Sequence, residues 1–364
     1  MDLSLKYRPR SFADLLQPTV AKALSNAIRD GKVSHCYLLS GPKGTGKTTT
    51  ARLLAASLCC GTPKEDLSAC GECDSCRTII NGMGYTDVTE INAAQETGKG
   101  DMFDLISSTL NYAPMFAEKK VYILDECHML SSAAQNSLLK ELESPPSYAH
   151  FVLCTTEPRK VLPTIIDRSI HFELPPIPSD RIAGRLAAVC SREGIAAEEG
   201  ALSLIAKEAS GSMRRALKLL EKIGGANVTE ADAALILGRT GAEAALQVIE
   251  LLLKGDRGSC FSLLDAADRE GKGFSSLFRD AIDVLLDAFR VRLFKGTGCL
   301  PGRSEEERGR IVEVAKKLSH RRISELSAVF QDGLAELNRG ISPQLSVGIV
   351  TISRAGEALM EGTA

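Results

Sequence analysis

Three groups of side chains in this sequence are spaced for chemistry. The first is the run Gly41-Pro42-Lys43-Gly44-Thr45-Gly46-Lys47-Thr48, followed by Thr49. Glycines at this spacing let a backbone wrap closely around phosphate oxygens with successive N–H groups pointing inward, and a helix beginning near Thr48 adds the positive end of its dipole. Lys47 is the cation for the β and γ phosphates, and the Thr48 hydroxyl is a ligand for Mg²⁺. The second group is Asp125-Glu126, which closes the apolar run Val121-Tyr-Ile-Leu. Strands often end in solvated acids, but downstream of a phosphate loop such a pair suits hydrolysis: Asp125 holds Mg²⁺, and Glu126 orients or deprotonates the attacking water. The expected chemistry is hydrolysis of a nucleoside triphosphate, ATP, with residues 41–49 and Asp125 around the nucleotide and its metal.

The third group is Cys60, Cys70, Cys73 and Cys76, spaced C-x9-C-x2-C-x2-C. Four thiolates close a tetrahedral structural zinc site. Cys59 stands beside Cys60 as an alternative ligand. An iron–sulfur run wants a further cysteine a few residues on, and Arg77-Thr-Ile-Ile80 has none. Metal-free buried thiols are the plain alternative.

These groups need rigid elements to position them. Short apolar runs at 36–40, 87–91, 121–125, 151–155 and 169–174 alternate with amphipathic stretches, which predicts buried strands of a mainly parallel sheet covered on both faces by helices. Ser132 and Gln135 read as a capping box opening a helix over about 132–143, stopped by Pro145-Pro146. Leu174-Pro-Pro-Ile-Pro178 suits an extended connector, so a first boundary is placed there. From Asp180 onward the pattern is helical, in short segments to about 237 and longer ones beyond; Gly238 and Gly241 mark a second boundary. The expected domains are 1–176, an α/β ATPase domain carrying the cysteine insertion at 60–76; 177–237, a small helical domain; and 238–364, an all-α domain.

With 364 residues, several domains are the prior expectation. An apolar fraction of 44% with 25% charged residues excludes a disordered chain. The N-terminus has no apolar signal core, and no run approaches the ~20 residues that span a bilayer, so a cytoplasmic protein without membrane partners is expected. Eleven cysteines in such a chain should stay reduced, which favours metal ligation over disulfides for the cluster. A net charge of −2 neither demands nor excludes nucleic acid, whose contacts would have to come from a local basic surface.

Taken together, these residues resemble AAA+ ATPases, and more narrowly the gamma/tau subunits of bacterial DNA polymerase III, the motors of the sliding-clamp loader. The resemblance runs over the whole chain and is best between 5 and 220. It rests on Tyr7-Arg-Pro-Arg-Ser-Phe12, the phosphate loop, the cysteine cluster, Leu124-Asp-Glu-Cys-His-Met-Leu130, Leu138-Leu-Lys-Glu-Leu-Glu-Ser-Pro-Pro146, Cys154-Thr-Thr-Glu-Pro158 and Gly211-Ser-Met-Arg-Arg-Ala216. It implies a RecA-like parallel sheet, a three-helix lid and a helical collar that joins subunits into a pentameric arc with delta and delta-prime subunits, acting on the sliding clamp and primer-template DNA. It implies that Thr155 or Thr156 senses the γ phosphate, that Arg168 is a finger reaching the neighbouring subunit's ATP, and that Arg214 is a second sensor. It also implies zinc on Cys60, Cys70, Cys73 and Cys76. Where the family has Ser-Arg-Cys around the finger, this chain has Asp167-Arg168-Ser169, and where it often has an acid after the second sensor, Arg215 stands.

Two rival functions share the motifs. A non-hydrolysing structural subunit of the same assembly would not need intact Lys47, Thr48, Asp125 and Glu126. A helicase or protein remodeller would not need the cysteine cluster or Leu138–Pro146. No polymerase carboxylate constellation is present, so any polymerase label would belong to the holoenzyme. The chain is also expected to lack the long tail of a tau form.

Overall fold

The computed structural model describes residues 2–94, 101–237, 241–269, 273–294, 296, 298, 300 and 303–360. Gly238, half of the expected second boundary, lies outside them. The chain forms two compact units: one runs through Ile195 and includes Ile205–Gly224, and the other takes Ala196–Leu204 and the chain from Gly225 onward.

The first unit is built on five parallel strands in the order β2-β3-β4-β1-β5. They are β1 (Cys36–Ser40), β2 (Val88–Asn92), β3 (Lys120–Asp125), β4 (Ala149–Thr155) and β5 (Ile170–Glu173). Strand side chains alternate between faces, and here both faces find a core. Tyr37, Leu39, Val121, Ile123, Val152 and Cys154 pack with Leu53 and Leu54 of the helix Lys47–Leu58 on one side. Cys36, Leu38, Tyr122, Leu124, Phe151 and Leu153 pack with Leu138 and Leu142 of the helix Ser132–Glu143 on the other. The near-continuous apolar runs follow from this double burial. β5 departs from the expectation of a buried strand: it is an edge strand paired only to β1, and Ile170 is 45% exposed.

The chain leaves β1 for the far edge at β2, returns through β3 and β4, and ends at β5 on the other side of β1. In such open sheets ligands bind at the carboxyl ends of the strands beside the reversal of order. Register sets those ends level: Ser40 pairs with Thr155, and Asn92 with Asp125.

The helix Ser132–Glu143 has the expected span but a different cap. Ser131 is the N-cap and accepts from Ala134 N at 3.2 Å. Gln135 is buried instead, donating to Leu130 O and Lys160 O and accepting from Leu162 N. Two adjacent serines offer either cap, and the need to satisfy these loop backbone groups decides which.

The compact units also divide the chain differently from the boundaries expected at 176 and 237. The helices Ser179–Glu193 and Met213–Ile223 belong to the sheet-bearing unit, tied to it by Ile177 N to Gly211 O, Met213 N to Gly44 O, and Lys6 and Tyr7 on Glu193. The second unit opens with a two-strand parallel pair, Ala196–Ala197 with Asn227–Val228, inside a stretch expected to be wholly helical. Its helices include Gly241–Leu253, Phe274–Phe294, His320–Arg339 and Gln344–Met360. Phe274, Phe278 and Phe330 anchor its core, with the last two rings 5.6 Å apart. No helix among the described residues is long and apolar enough to cross a membrane.

Candidate functional site

The loop between β1 and the helix Lys47–Leu58 takes its shape from glycine. Gly46 caps the helix at φ 106°, a left-handed conformation that side chains resist. A Cβ on Gly44 would strike Ser212 Oγ, so the start of the helix Met213–Ile223 lies directly against the loop.

Lys47 is buried, and its Nζ donates to Gly41 O at 2.8 Å and Pro42 O at 3.0 Å. Burial pushes its ammonium pKa down, while Glu126 and Asp125 oppose that shift. An ammonium held among carbonyls of its own loop is the charge that phosphate oxygens would take over. Thr48 Oγ1 donates to Asp125 Oδ2 at 2.7 Å, closing the gap between the helix N-terminus and the end of β3. Asp125 Oδ1 accepts from Glu126 N at 3.0 Å.

Glu126 has φ 52° and ψ 41°, a left-handed backbone that is costly for a residue with a side chain and tends to occur at functional sites. Its Oε2 accepts from Thr156 Oγ1 at 3.2 Å. Thr155, fully buried at the end of β4, hydrogen-bonds His128 Nδ1 at 3.1 Å. The two threonines weighed as sensors therefore have different partners: Thr156 touches Glu126 directly, and Thr155 touches His128.

A cavity of about 290 Å³ runs along this loop, lined by Lys43 to Thr49, Asp125, Glu126 and Arg214 at its polar end and by Pro9, Leu15, Leu16, Ile177, Met213 and Leu217 at its apolar end. The apolar end was not legible in the sequence, because its walls come from distant segments, Pro9 to Leu16, Ile177 and Met213 to Leu217. A second, polar cavity of about 560 Å³ adjoins it past Thr48 and Asp125, with Arg8, Arg52 and Arg214 on its walls. Arg8 lines both cavities, and burial together with the charges of Arg52 and Arg214 pushes its pKa down.

Arg214 and Arg215 separate clearly. Arg214 lines both cavities, whereas Arg215 pairs with Glu208 at 2.7 Å. Arg168 lines neither. It caps the helix Pro163–Asp167 and pairs with Glu143 at 2.8 Å.

The cysteine cluster comes together as four sulfurs within 4.8 Å of one another. Cys60 Sγ lies 3.9 Å from Cys73 Sγ, and Cys70 Sγ lies 3.8 Å from Cys76 Sγ. A tetrahedron with zinc–sulfur bonds of about 2.3 Å has edges of about 3.8 Å, so the spacing fits. Backbone N–H groups of Glu72 and Cys73 donate to Cys70 Sγ and bring its thiol down to about 6; burial pushes Cys76 the other way. Cys59 faces elsewhere: it is buried against Lys119 O, and burial raises its thiol to about 12.

Three family models match in succession. Residues 16–178 match one described as DNA polymerase III, delta subunit; 181–222 match the ATPase lid domain of the DNA polymerase III clamp loader subunit; and 228–358 match domain III of DNA polymerase III subunits gamma and tau. The chain is similar to DNA polymerase III subunit tau of Escherichia coli (strain K12), 37% identical over 295 residues, covering 80% of this chain and 45% of that protein. It is also similar to the gamma/tau subunit of Mycobacterium bovis, 32% identical over 361 residues, 96% of this chain and 62% of that one. The chain thus spans about half the length of the curated relatives it matches. Among solved structures, the RuvB Holliday junction branch migration motor of Thermotoga maritima is 19% identical with a TM-score of 0.48, over 68% of this chain and 79% of that one.

Proposed function

Because the chain belongs to the DNA polymerase III gamma/tau family, we propose that it is an ATP-hydrolysing motor subunit of the clamp loader, which places the sliding clamp on primed DNA. The observation that carries this is the Thr48–Asp125 hydrogen bond beside buried Lys47, which brings the cation, the hydroxyl and the carboxylate that a Mg²⁺-nucleotide needs to the mouth of one cavity.

ATP supplies the phosphoryl group, and Mg²⁺ neutralises charge on its oxygens. In this reading the loop N–H groups and Lys47 hold the β and γ phosphates, with Gly41 to Thr49 forming the cradle. Thr48 and Asp125 hold the metal. Glu126 orients the attacking water and takes its proton, Thr156 steadies that carboxylate, and Thr155 or Thr156 reports on the γ phosphate. Arg214 reaches the phosphates from the helix Met213–Ile223, and its place on the cavity wall favours it over Arg215. Arg168 does not line its own chain's cavity and is partly exposed beside Glu143, which suits a finger offered to a neighbouring subunit. Cys60, Cys70, Cys73 and Cys76 hold a structural zinc with no open position.

The three-domain division at 176 and 237, the assembly with delta and delta-prime subunits in a pentameric arc, and a cytoplasmic location belong to the same reading. The test is ATP turnover by the assembled chain with and without sliding clamp and primed DNA. Turnover should rise most when both are present. Turnover indifferent to clamp and DNA would overturn the clamp-loader reading.

A further inference from the structure

His128 lies in the short turn Cys127–Met129 that follows Glu126, with its side chain only 6% exposed. Its Nδ1 lies 3.1 Å from Thr155 Oγ1 and 3.4 Å from Glu126 Oε2. Its Nε2 lies 3.4 Å from Glu157 Oε1. Glu157 N in turn donates to Thr155 Oγ1 at 3.0 Å, and Thr156 Oγ1 donates to the Glu126 oxygen that faces the ring. One imidazole therefore joins the carboxylate after β3 to Thr155, the last residue of β4, and to Glu157 just beyond it.

The ring's hydrogen bond is the one to Thr155, and the two carboxylate oxygens, which can only accept, lie at ion-pair distance from its nitrogens. The strained left-handed backbone of Glu126 persists only where the surroundings over-determine it. The ring and Thr156 fix the side chain that this backbone aims. We infer that His128 is a positioning residue, holding the Glu126 carboxylate and coupling its orientation to Thr155 at the loop-facing end of β4. The inference rests on reading Glu126 as the hydrolytic group. A change at the end of β4 then reaches that group through one side chain, without passing through the sheet.

The variants H128A, H128N and H128Q separate this from a packing role. Asparagine places an amide near the Nδ1 position and keeps the Glu126 and Thr155 side of the network; glutamine reaches the Nε2 position and keeps only the Glu157 side. In the assembled loader with clamp and primed DNA, H128A should bind labelled ATP with unchanged affinity and lose roughly 10- to 100-fold in kcat, the scale of one lost polar contact to a charged group. H128N should recover most of that loss, and H128Q should not. Equal kcat for H128N and H128Q overturns the inference, and this comparison decides even if H128A fails to fold. Wild-type kcat in H128A, with E126Q inactive, also overturns it while leaving the hydrolytic reading intact. Wild-type kcat in E126Q would instead overturn that underlying reading.

Discussion

At the scale of single residues, the cysteine cluster makes the most exposed claim. Four sulfurs spaced like a zinc tetrahedron leave no spare ligand, and backbone N–H groups already turn toward Cys60, Cys70 and Cys73. Purified protein should carry about one zinc per chain, and Cys73→Ser should lose it. Metal analysis finding no zinc, or mainly iron, in the unaltered chain would overturn the site. The cluster, the phosphate loop and Asp125-Glu126 were legible because their chemistry is written in spacing along the chain. His128 was not, although it stands two residues after Glu126. Its partners Thr155 and Glu157 come from the end of β4 and the turn after it, so only the β3–β4 neighbourhood gives it a role.

At the scale of elements, one buried carboxylate organises a long connection. Asp87, 1% exposed, precedes β2, and its oxygens accept from Met115 N at 2.6 Å, Phe116 N at 2.7 Å and Ala117 N at 2.9 Å. This fixes the approach to β3 while Tyr112, Met115 and Phe116 stay exposed. Asp87→Ala removes three charge-assisted bonds, and because the loop amides can turn to water, the expected cost is about 2–4 kcal/mol. Chemical denaturation should show that loss, and a change below about 0.5 kcal/mol would contradict it. The strands themselves were readable to within a residue or two, since double burial writes continuous apolar runs. Edge exposure of β5 and the choice of Ser131 over Ser132 were not, because both depend on which neighbour the fold supplies.

At the scale of the whole molecule, the cavity beside the phosphate loop gathers side chains from Ser4 to Leu217 within one compact unit. The cations Lys47, Arg8 and Arg214 stand on its walls, while Arg168 is held outside it by Glu143. The central claim is that ATP is hydrolysed by this chain's glutamate and that the charge developed in the reaction is completed by a neighbour's arginine. Subunits carrying Glu126→Gln or Arg168→Ala should each bind ATP, and each alone should turn over poorly, since such an arginine is worth ~10³-fold or more in rate. The most direct measurement is the turnover of loaders assembled from both variants mixed together. Some intact glutamates then face some intact fingers, and part of the activity should return. No recovery in assemblies shown to be mixed would contradict the account and leave Arg168 without a role across the boundary.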